Sequence, residues 1–211
     1  MTKQAATSAT KAKPVSDLGN TRSGRVYSLE AYLQKEATAA RKHEYYNGKI
    51  VPMPYAKAPH NIIAANMITA LNIAIDQAGK DYIVLSGDQK VYFPELNTGV
   101  YADVLVVCEK MEFHDQQQLL LVNPILAVEI LSRSTRYFDR HGKFDLYKTL
   151  PAFQEYVLVD QESIHVETRF QTAPNLWRYQ TETQPDGIIN LDALGLQIAV
   201  KDIYKRVNLA Q

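Results

Sequence analysis

The pattern of apolar and polar positions predicts helices near the beginning of the chain and strands through most of the remainder. LEAYLQKEA, residues 29–37, is predicted to form a short helix whose first turn is capped by Ser28. Within 59–80, apolar residues recur at every third or fourth position and Gly79 supplies a stop, which predicts a longer helix. The residues that share one face of this helix are His60, Ile63, Met67, Leu71 and Ala74.

Strand signals surround and follow that helix. HEYYNGKIVPMP, residues 43–54, predicts a hairpin, because Asn47-Gly48 separates two short strand-like runs. Further strands are predicted at 82–87, 90–94, 101–107 and 125–131, and a second helix is predicted in STRYFDRHGKFDLYKTL despite Gly142. The later runs that read as strands are EYVLVD, IHVETRF, LWRYQTET, GIINL and LQIAV. This order predicts a single α/β (α+β) domain with a strand-rich C-terminal part.

Composition indicates an ordinary folded protein without a strongly charged partner surface. Of 211 residues, 46% are hydrophobic and 22% charged, and 23 basic residues balance 23 acidic ones. Residues 1–25 are rich in Ala, Thr, Ser and Lys, so we expect a disordered tail there and one slightly acidic domain over 26–211. No run approaches the ~20 apolar residues of a membrane span, and no signal-peptide core is visible. With a single cysteine, Cys108, we expect a cytoplasmic protein without disulfides, zinc or membrane association.

Two carboxylates interrupt otherwise apolar strands. Asp103 precedes VLVV, and Glu129 lies within ILAVEIL. Burial of an unpaired carboxylate is costly, so such a group changes its protonation state, finds a partner or binds a metal. If the two strands are neighbours, both acids can converge on one point, where Mg²⁺ (or Mn²⁺) is a cation that oxygen ligands favour. The structural alternative is that either acid lies at a strand end and meets water, an arginine or a helix N-terminus.

A divalent cation held by two carboxylates has a recognisable chemistry. It can activate water and stabilise negative charge on a phosphate oxygen. The pair Asp103 and Glu129 therefore predicts phosphodiester hydrolysis.

Five blocks of sequence carry a resemblance to a known family: HEYYNGKIVPMP, PHN, YADVLVV, NPILAVEILSRST and YFDRHGKFDLYKTLPAFQEYVLVDQ. In order and spacing, from about Ser28 to about Tyr204, they resemble the Uma-type family of bacterial endonucleases. That family belongs to the restriction-endonuclease-like, PD-(D/E)XK superfamily. The resemblance implies a mixed β-sheet flanked by helices, a divalent metal and DNA as substrate.

The resemblance also implies roles for individual residues. Asp103 and Glu129 match the two metal-binding acids, but Leu131 stands where the superfamily places its lysine. Lys143, on the helix that follows, is the replacement that the resemblance favours, and Lys90 is the second candidate. Without such a role, Lys143 would form an exposed ion pair with Asp139, four residues earlier, and Lys90 would be a solvated strand start.

Two further residues are candidates with weaker support. His60 matches a histidine common in the family and could face the metal site or a phosphate, although a satisfied structural histidine is the alternative. Glu44 resembles an acid that some superfamily members use as an extra metal ligand, and its alternative is a surface acid beside Tyr45 and Tyr46.

These observations lead to one main prediction and two alternatives. The main prediction is a Mg²⁺-dependent endonuclease in which Lys143 assists the attacking water, acting as a homodimer because cleavage of both DNA strands is easiest with two sites. The first alternative is a nuclease-like scaffold that no longer cuts and serves as a nucleic-acid or protein interaction module, as the missing lysine after Glu129 suggests. The second is a metal hydrolase for a small phosphorylated metabolite, which would need a closed pocket.

Overall fold

Thirteen strands and five short or medium helices make up the computed structural model, which describes residues 25–209. In chain order they are α1 (Leu29–Glu36), β1 (His43–Tyr46), β2 (Lys49–Pro52), α2 (Ala58–Ala78), β3 (Tyr82–Ser86), β4 (Lys90–Phe93), β5 (Thr98–Tyr101), β6 (Val104–Cys108), β7 (Leu120–Leu121), β8 (Leu126–Leu131), α3 (Arg136–Phe138), α4 (Phe144–Tyr147), β9 (Glu155–Asp160), β10 (Val166–Ala173), β11 (Leu176–Glu182), β12 (Ile188–Leu191), β13 (Leu196–Ala199) and α5 (Val200–Ile203). A π-helical stretch, Asp139–Lys143, joins α3 to α4.

The strands form three sheets. The central sheet has six strands in the order β11-β10-β9-β8-β6-β3, and within it only β8 and β9 run parallel. A five-stranded sheet has the order β2-β1-β5-β4-β7, and β12 and β13 form a separate hairpin. The predicted α/β (α+β) class, with a mixed sheet, flanking helices and a strand-rich C-terminal part, is therefore confirmed.

Two apolar cores cover the two faces of the central sheet. Along β8, Val128 and Ile130 pack into the core formed with α2, α5 and the β12–β13 hairpin. Ala127 and Leu131 point the other way, into the core formed with the five-stranded sheet and α4. Because side chains alternate along a strand, Glu129 lies on this second face. The acid of β8 is thus enclosed between the two large sheets.

Local sequence signals account for the first elements. Ser28 Oγ accepts a hydrogen bond from Ala31 N, as the predicted cap of α1 requires. Gly79 ends α2 in the left-handed conformation, with φ 62°. Asn47 and Gly48 also have positive φ, and they turn β1 into β2 with Tyr46 opposite Lys49.

The structure corrects the sequence prediction at one important position. The segment 101–107 was expected to be one strand, but Tyr101 ends β5 and Val104 begins β6, in different sheets. The chain crosses between the sheets at Ala102 and Asp103. Periodicity could not indicate this break, because apolar residues continue on both sides of it. The short β7 and α5 were also not predicted.

Two expectations about the chain as a whole have different outcomes. No helix within residues 25–209 is long and apolar enough to cross a membrane. The expected disordered tail falls almost entirely on residues 1–24, which lie outside the described residues, so it stays a prediction.

Candidate active site

Pairing of β6 with β8 brings Asp103 and Glu129 together. Val104 lies opposite Val128, and the main-chain N–H of Asp103 donates to the Val128 carbonyl at 3.1 Å. Asp103 Oδ2 in turn accepts a hydrogen bond of 2.7 Å from the main-chain N–H of Ile130. The Asp103 residue thus bonds to the backbone on either side of Glu129. The two acids lie side by side across neighbouring strands. This is the arrangement that a shared metal site requires.

Lys143 is the lysine that reaches Glu129. Its Nζ lies 2.9 Å from Glu129 Oε2 and donates to the Tyr101 carbonyl at 2.8 Å. Glu129 is 3% exposed and Lys143 6% exposed, so this is a buried ion pair. Asp139 Oδ1 lies 3.7 Å from the same Nζ and is buried as well. The alternative of an exposed pair between Asp139 and Lys143 is therefore wrong.

Glu44 approaches the same ammonium from the five-stranded sheet. Its Oε1 lies 3.6 Å from Lys143 Nζ, and its Oε2 accepts a hydrogen bond of 2.6 Å from the Tyr46 hydroxyl. Because Glu44 is buried, the alternative of a surface acid is wrong. Asp139 was not among the predicted site residues. Its spacing of four residues before Lys143 was the available signal, since that spacing places both on one helical face.

His60 contacts the other acid. It lies in the first turn of α2, and its Nε2 is 3.2 Å from Asp103 Oδ1. Its Nδ1 is buried and has no hydrogen-bond partner among residues 25–209. Burial opposes protonation, but the hydrogen bond and charge of Asp103 outweigh it and raise the pKa of His60 above its usual value.

Lys90 lies in a different place. Its Nζ is 4.9 Å from the ring centroid of Tyr101 and 5.2 Å from that of Tyr32. No ion pair joins it to Glu129 or Asp103 in the described part of the chain. Lys90 is nevertheless buried, so the alternative of a solvated strand start is wrong too. Of the two candidate lysines, the structure brings only Lys143 to the acids.

The site holds more acidic than basic side chains. The carboxylates of Glu44, Glu129 and Asp139 surround one ammonium, and Asp103 faces one imidazole. Burial opposes the charged form of Lys143, but Glu129 and the neighbouring acids raise its pKa well above the usual value. Burial raises the pKa of Glu129 and of Asp139, and the Lys143 charge opposes both shifts. A divalent cation would stabilise the ionised forms of these acids.

The donor atoms present suit such a cation. Glu129 Oε1 is buried without a hydrogen-bond partner among the described residues, and Asp103 remains about one-fifth exposed, with a side-chain exposure of 21%. Carboxylate oxygens are the ligands that Mg²⁺ and Mn²⁺ prefer. Within residues 25–209, no three Asp, Glu, His or Cys side chains are grouped as a ready-made metal cage. Asp103 and Glu129 would supply carboxylate ligands to such a cation.

The chain is similar to other proteins over most of its length. It is 33% identical over 153 residues to the uncharacterized protein sll1609 of Synechocystis sp., covering 72% of this chain and 85% of that protein. It is 32% identical over 181 residues to the uncharacterized protein slr1290 of the same organism, covering 84% and 91%. Neither name states an activity.

A solved structure shares the fold. The crystal structure of a putative nuclease belonging to DUF820, from Anabaena variabilis, matches with a TM-score of 0.69 and covers 86% of this chain and 99% of that chain. At 16% identity the likeness is one of fold, and it identifies the arrangement of sheets and helices as restriction-endonuclease-like.

The family model agrees with both comparisons. The model of Uma2, described as a putative restriction endonuclease, matches residues 29–201. This range contains Glu44, His60, Asp103, Glu129 and Lys143. On these matches, the chain belongs to the Uma2 family.

Proposed function

We propose that this protein is a Mg²⁺-dependent endonuclease, also active with Mn²⁺, that hydrolyses DNA phosphodiester bonds. The observation that carries the proposal is the position of Glu129. It lies beside Asp103 across neighbouring strands and forms a buried ion pair of 2.9 Å with Lys143. Membership in a family described as restriction endonucleases supports nucleic acid as the substrate class.

The metal would be held by Asp103 and Glu129. Bound there, a divalent cation supplies Lewis-acid stabilisation of negative charge on a phosphate oxygen. His60 holds the Asp103 carboxylate in place through the contact at Oδ1, and the Ile130 amide holds it at Oδ2. Such second contacts fix the orientation of a ligating group.

Lys143 acts as a hydrogen-bond donor and a fixed positive charge. The surrounding carboxylates raise its pKa well above the usual value, so the ammonium stays protonated at neutral pH. In that state it can orient an attacking water and stabilise charge that develops on the phosphate, but it does not remove a proton. Glu44 Oε1 lies 3.6 Å from Lys143 Nζ, and its Oε2 accepts a hydrogen bond from the Tyr46 hydroxyl, so we assign Glu44 to positioning Lys143.

We further propose that the protein acts as a homodimer. β11 lies at one edge of the central sheet, and its Leu176 and Tyr179 are 60% and 57% exposed. An exposed strand edge with apolar side chains can pair or pack with a second copy. A two-fold dimer would present two sites, one for each DNA strand. Sedimentation or light scattering with the Tyr179→Lys variant tests this assembly, because the added charge should yield monomer.

DNA cleavage by purified protein tests the activity. Wild type is expected to cut plasmid and single- and double-stranded oligonucleotides with Mg²⁺ or Mn²⁺ and not with EDTA, and Asp103→Asn and Glu129→Gln should abolish cutting. Asp202→Asn, an exposed acid on α5, is the matched control and should cut normally. Absence of metal-dependent cutting on all these substrates would contradict the proposal. If the same protein still bound Mn²⁺ and DNA, the interaction-module alternative would be favoured.

A further inference from the structure

Lys90 is a largely buried lysine, 6% exposed, whose ammonium makes no hydrogen bond or ion pair with any of residues 25–209. Its Nζ is not among the fully enclosed polar atoms, so the charged end of the side chain reaches solvent. The arginines that follow β8 behave differently, since Arg133 and Arg136 each contact a carboxylate at 2.9 Å and Arg140 pairs with Glu167. An unpaired buried charge is costly. Contacts with the rings of two tyrosines offset part of that cost but do not neutralise the charge.

A second lysine lies against the same ring. Lys42 Nζ is 5.2 Å from the ring centroid of Tyr101, and Lys90 Nζ is 4.9 Å from it. Burial lowers the pKa of Lys90, the charges of Glu36 and Asp115 oppose the shift, and the charge of Lys42 adds to it. Both positive charges therefore lie against one tyrosine ring. An anion within reach of both would be stabilised by the two charges.

The acids near these lysines are already engaged or weakly held. Glu36 accepts hydrogen bonds from the main-chain N–H of His43 and the Tyr101 hydroxyl, and it contacts the His43 ring. Asp88 forms an ion pair with Lys42, but its side chain is 83% exposed. Exposed pairs of this kind are worth ~0–1 kcal/mol. A phosphate could displace Asp88 at little cost, and the half-exposed Lys42 leaves a route from solvent.

The lysine pair lies beside the candidate active site. Tyr101, whose ring contacts both lysines, accepts a hydrogen bond from Lys143 through its carbonyl. The Gly87 carbonyl accepts a hydrogen bond from Lys42, and Gly87 packs against Ala102 and Asp103, the two residues after Tyr101. A Cβ at Gly87 would lie 3.2 Å from the Ala102 carbonyl oxygen and 3.4 Å from that of Asp103. The two lysines and the acids of the candidate active site thus lie on either side of residues 102–103, where the chain crosses between the two sheets.

We propose that Lys42 and Lys90, both set against the Tyr101 ring, form a subsite that binds a backbone phosphate of the substrate strand next to the one that is cut. The proposal rests on the proposed nuclease function. Without substrate, Asp88 holds Lys42, and the incoming phosphate replaces it. The subsite contributes to binding and register, and Lys143 serves the reacting phosphate.

Opposite effects of two substitutions test this subsite. Binding of a fluorescein-labelled DNA duplex is measured by anisotropy, with Ca²⁺ in place of Mg²⁺ to limit cutting. Lys90→Met keeps the aliphatic stem against the tyrosines but removes the charge, and binding should weaken by about tenfold, the size of one charge-assisted contact. Asp88→Asn removes the competing carboxylate, and binding should strengthen by about two- to fivefold. Lys90→Arg should bind nearly as wild type.

Lys201→Met, at an exposed lysine on α5, is the matched control and should leave binding unchanged. Thermal melts of every variant separate lost charge from lost folding. In cleavage assays, Lys90→Met should raise KM with kcat nearly unchanged, a split that a purely structural role for Lys90 would not produce.

A pyrophosphate titration separates failure of the subsite from failure of the nuclease proposal. If wild type binds pyrophosphate and Lys90→Met does not, the subsite stands even for a protein that never cuts. If wild type cuts DNA while Lys90→Met and Asp88→Asn bind and cut like wild type, the subsite is overturned and the nuclease stands. If wild type binds neither DNA nor pyrophosphate, both proposals are overturned.

Discussion

Lys143 Nζ lies 2.9 Å from Glu129 Oε2, although the two residues are 14 positions apart and lie on a helical segment and a strand. Neither is near the surface, and the remaining contacts of the ammonium are a main-chain carbonyl and two further acids. Two residues after Glu129 the chain has Leu131, which is fully buried. The ammonium beside Glu129 comes instead from the helical segment that follows the strand.

Removal of this ammonium should destabilise the protein. Lys143→Met leaves Glu129 with a buried and uncompensated charge, so the free energy of unfolding at neutral pH should fall by about 3–5 kcal/mol in urea denaturation. The double variant Glu129→Gln/Lys143→Met should recover part of the loss, because the unpaired charge is gone. A loss of less than about 1 kcal/mol, or none recovered in the double variant, would show that the pair is not formed in solution.

The folded elements themselves were largely predictable from local signals. The face of α2 that carries Ile63, Met67 and Leu71 is buried as its spacing predicted, and Asn47-Gly48 forms the predicted turn. The break at Asp103 was not predictable, because it depends on where two sheets lie relative to each other. The chain crosses from one sheet to the other there, and the flanking residues are apolar on both sides.

The candidate site was predictable only in part. Acidic residues within otherwise apolar strands pointed to Asp103 and Glu129. Their proximity depends on β6 and β8 being neighbours, which no local sequence pattern predicts. The burial of Asp139 and Glu44 depends on packing between a helical segment and a second sheet. The sequence therefore left a site role and a surface position for Glu44 both open, and it placed Asp139 only in an exposed ion pair. The alternatives in which Lys143 and Lys90 are exposed to solvent were wrong, because their burial also depends on packing between distant elements.

Divalent cations should stabilise the folded protein. A ligand that binds only the folded state adds about 2.7 kcal/mol at a concentration 100 times its Kd. Addition of Mg²⁺ or Mn²⁺ should raise the melting temperature, and EDTA should reverse the effect. Asp103→Asn should remove the stabilisation, and Asp202→Asn should keep it. An equal rise in both variants would place the bound cation elsewhere on the protein.

His60→Ala should weaken metal binding without destroying the fold. His60 contacts Asp103 Oδ1 at 3.2 Å and thereby fixes the orientation of the carboxylate. Loss of such an outer contact typically lowers metal affinity by ~10- to 100-fold. Titration with Mn²⁺ followed by electron paramagnetic resonance measures the change, and a circular dichroism melt checks the fold. Unchanged Mn²⁺ affinity in a folded variant would show that the histidine has another role.

Gly142→Ala should distort the π-helical stretch that presents Lys143. A Cβ at this position would overlap a ring carbon of Phe138, so the ring must move. Phe138 packs edge-on against Tyr46, whose hydroxyl donates to Glu44, so the displacement is transmitted to the site. Strain of this size typically costs about 1–3 kcal/mol. Both the free energy of unfolding and the cleavage rate should fall. A variant as stable and active as wild type would contradict this reasoning.

Glu155 should make stability depend on pH far from the candidate site. It lies at the start of β9, and its two oxygens accept hydrogen bonds from the main-chain N–H groups of Asp192 and Ala193. Burial raises the pKa of Glu155 to about 7, and the charge of Asp192 adds to the shift. The two main-chain hydrogen bonds and the charge of Arg178 oppose it. The folded state therefore holds a proton that the unfolded state releases near pH 4.5.

The sign of the pH effect follows from that difference. Stability from the protonated Glu155 is fully present below about pH 4.5 and is lost as the pH rises through about 7. Relative to Glu155→Gln, whose side chain does not titrate, wild type should lose about 3 kcal/mol of unfolding free energy across this range. Urea denaturation of both proteins at a series of pH values measures the difference, and Glu95→Gln, at an exposed acid, should parallel wild type. A difference between wild type and Glu155→Gln that stays constant with pH would mean that the Glu155 carboxyl is already ionised in the folded protein below pH 5.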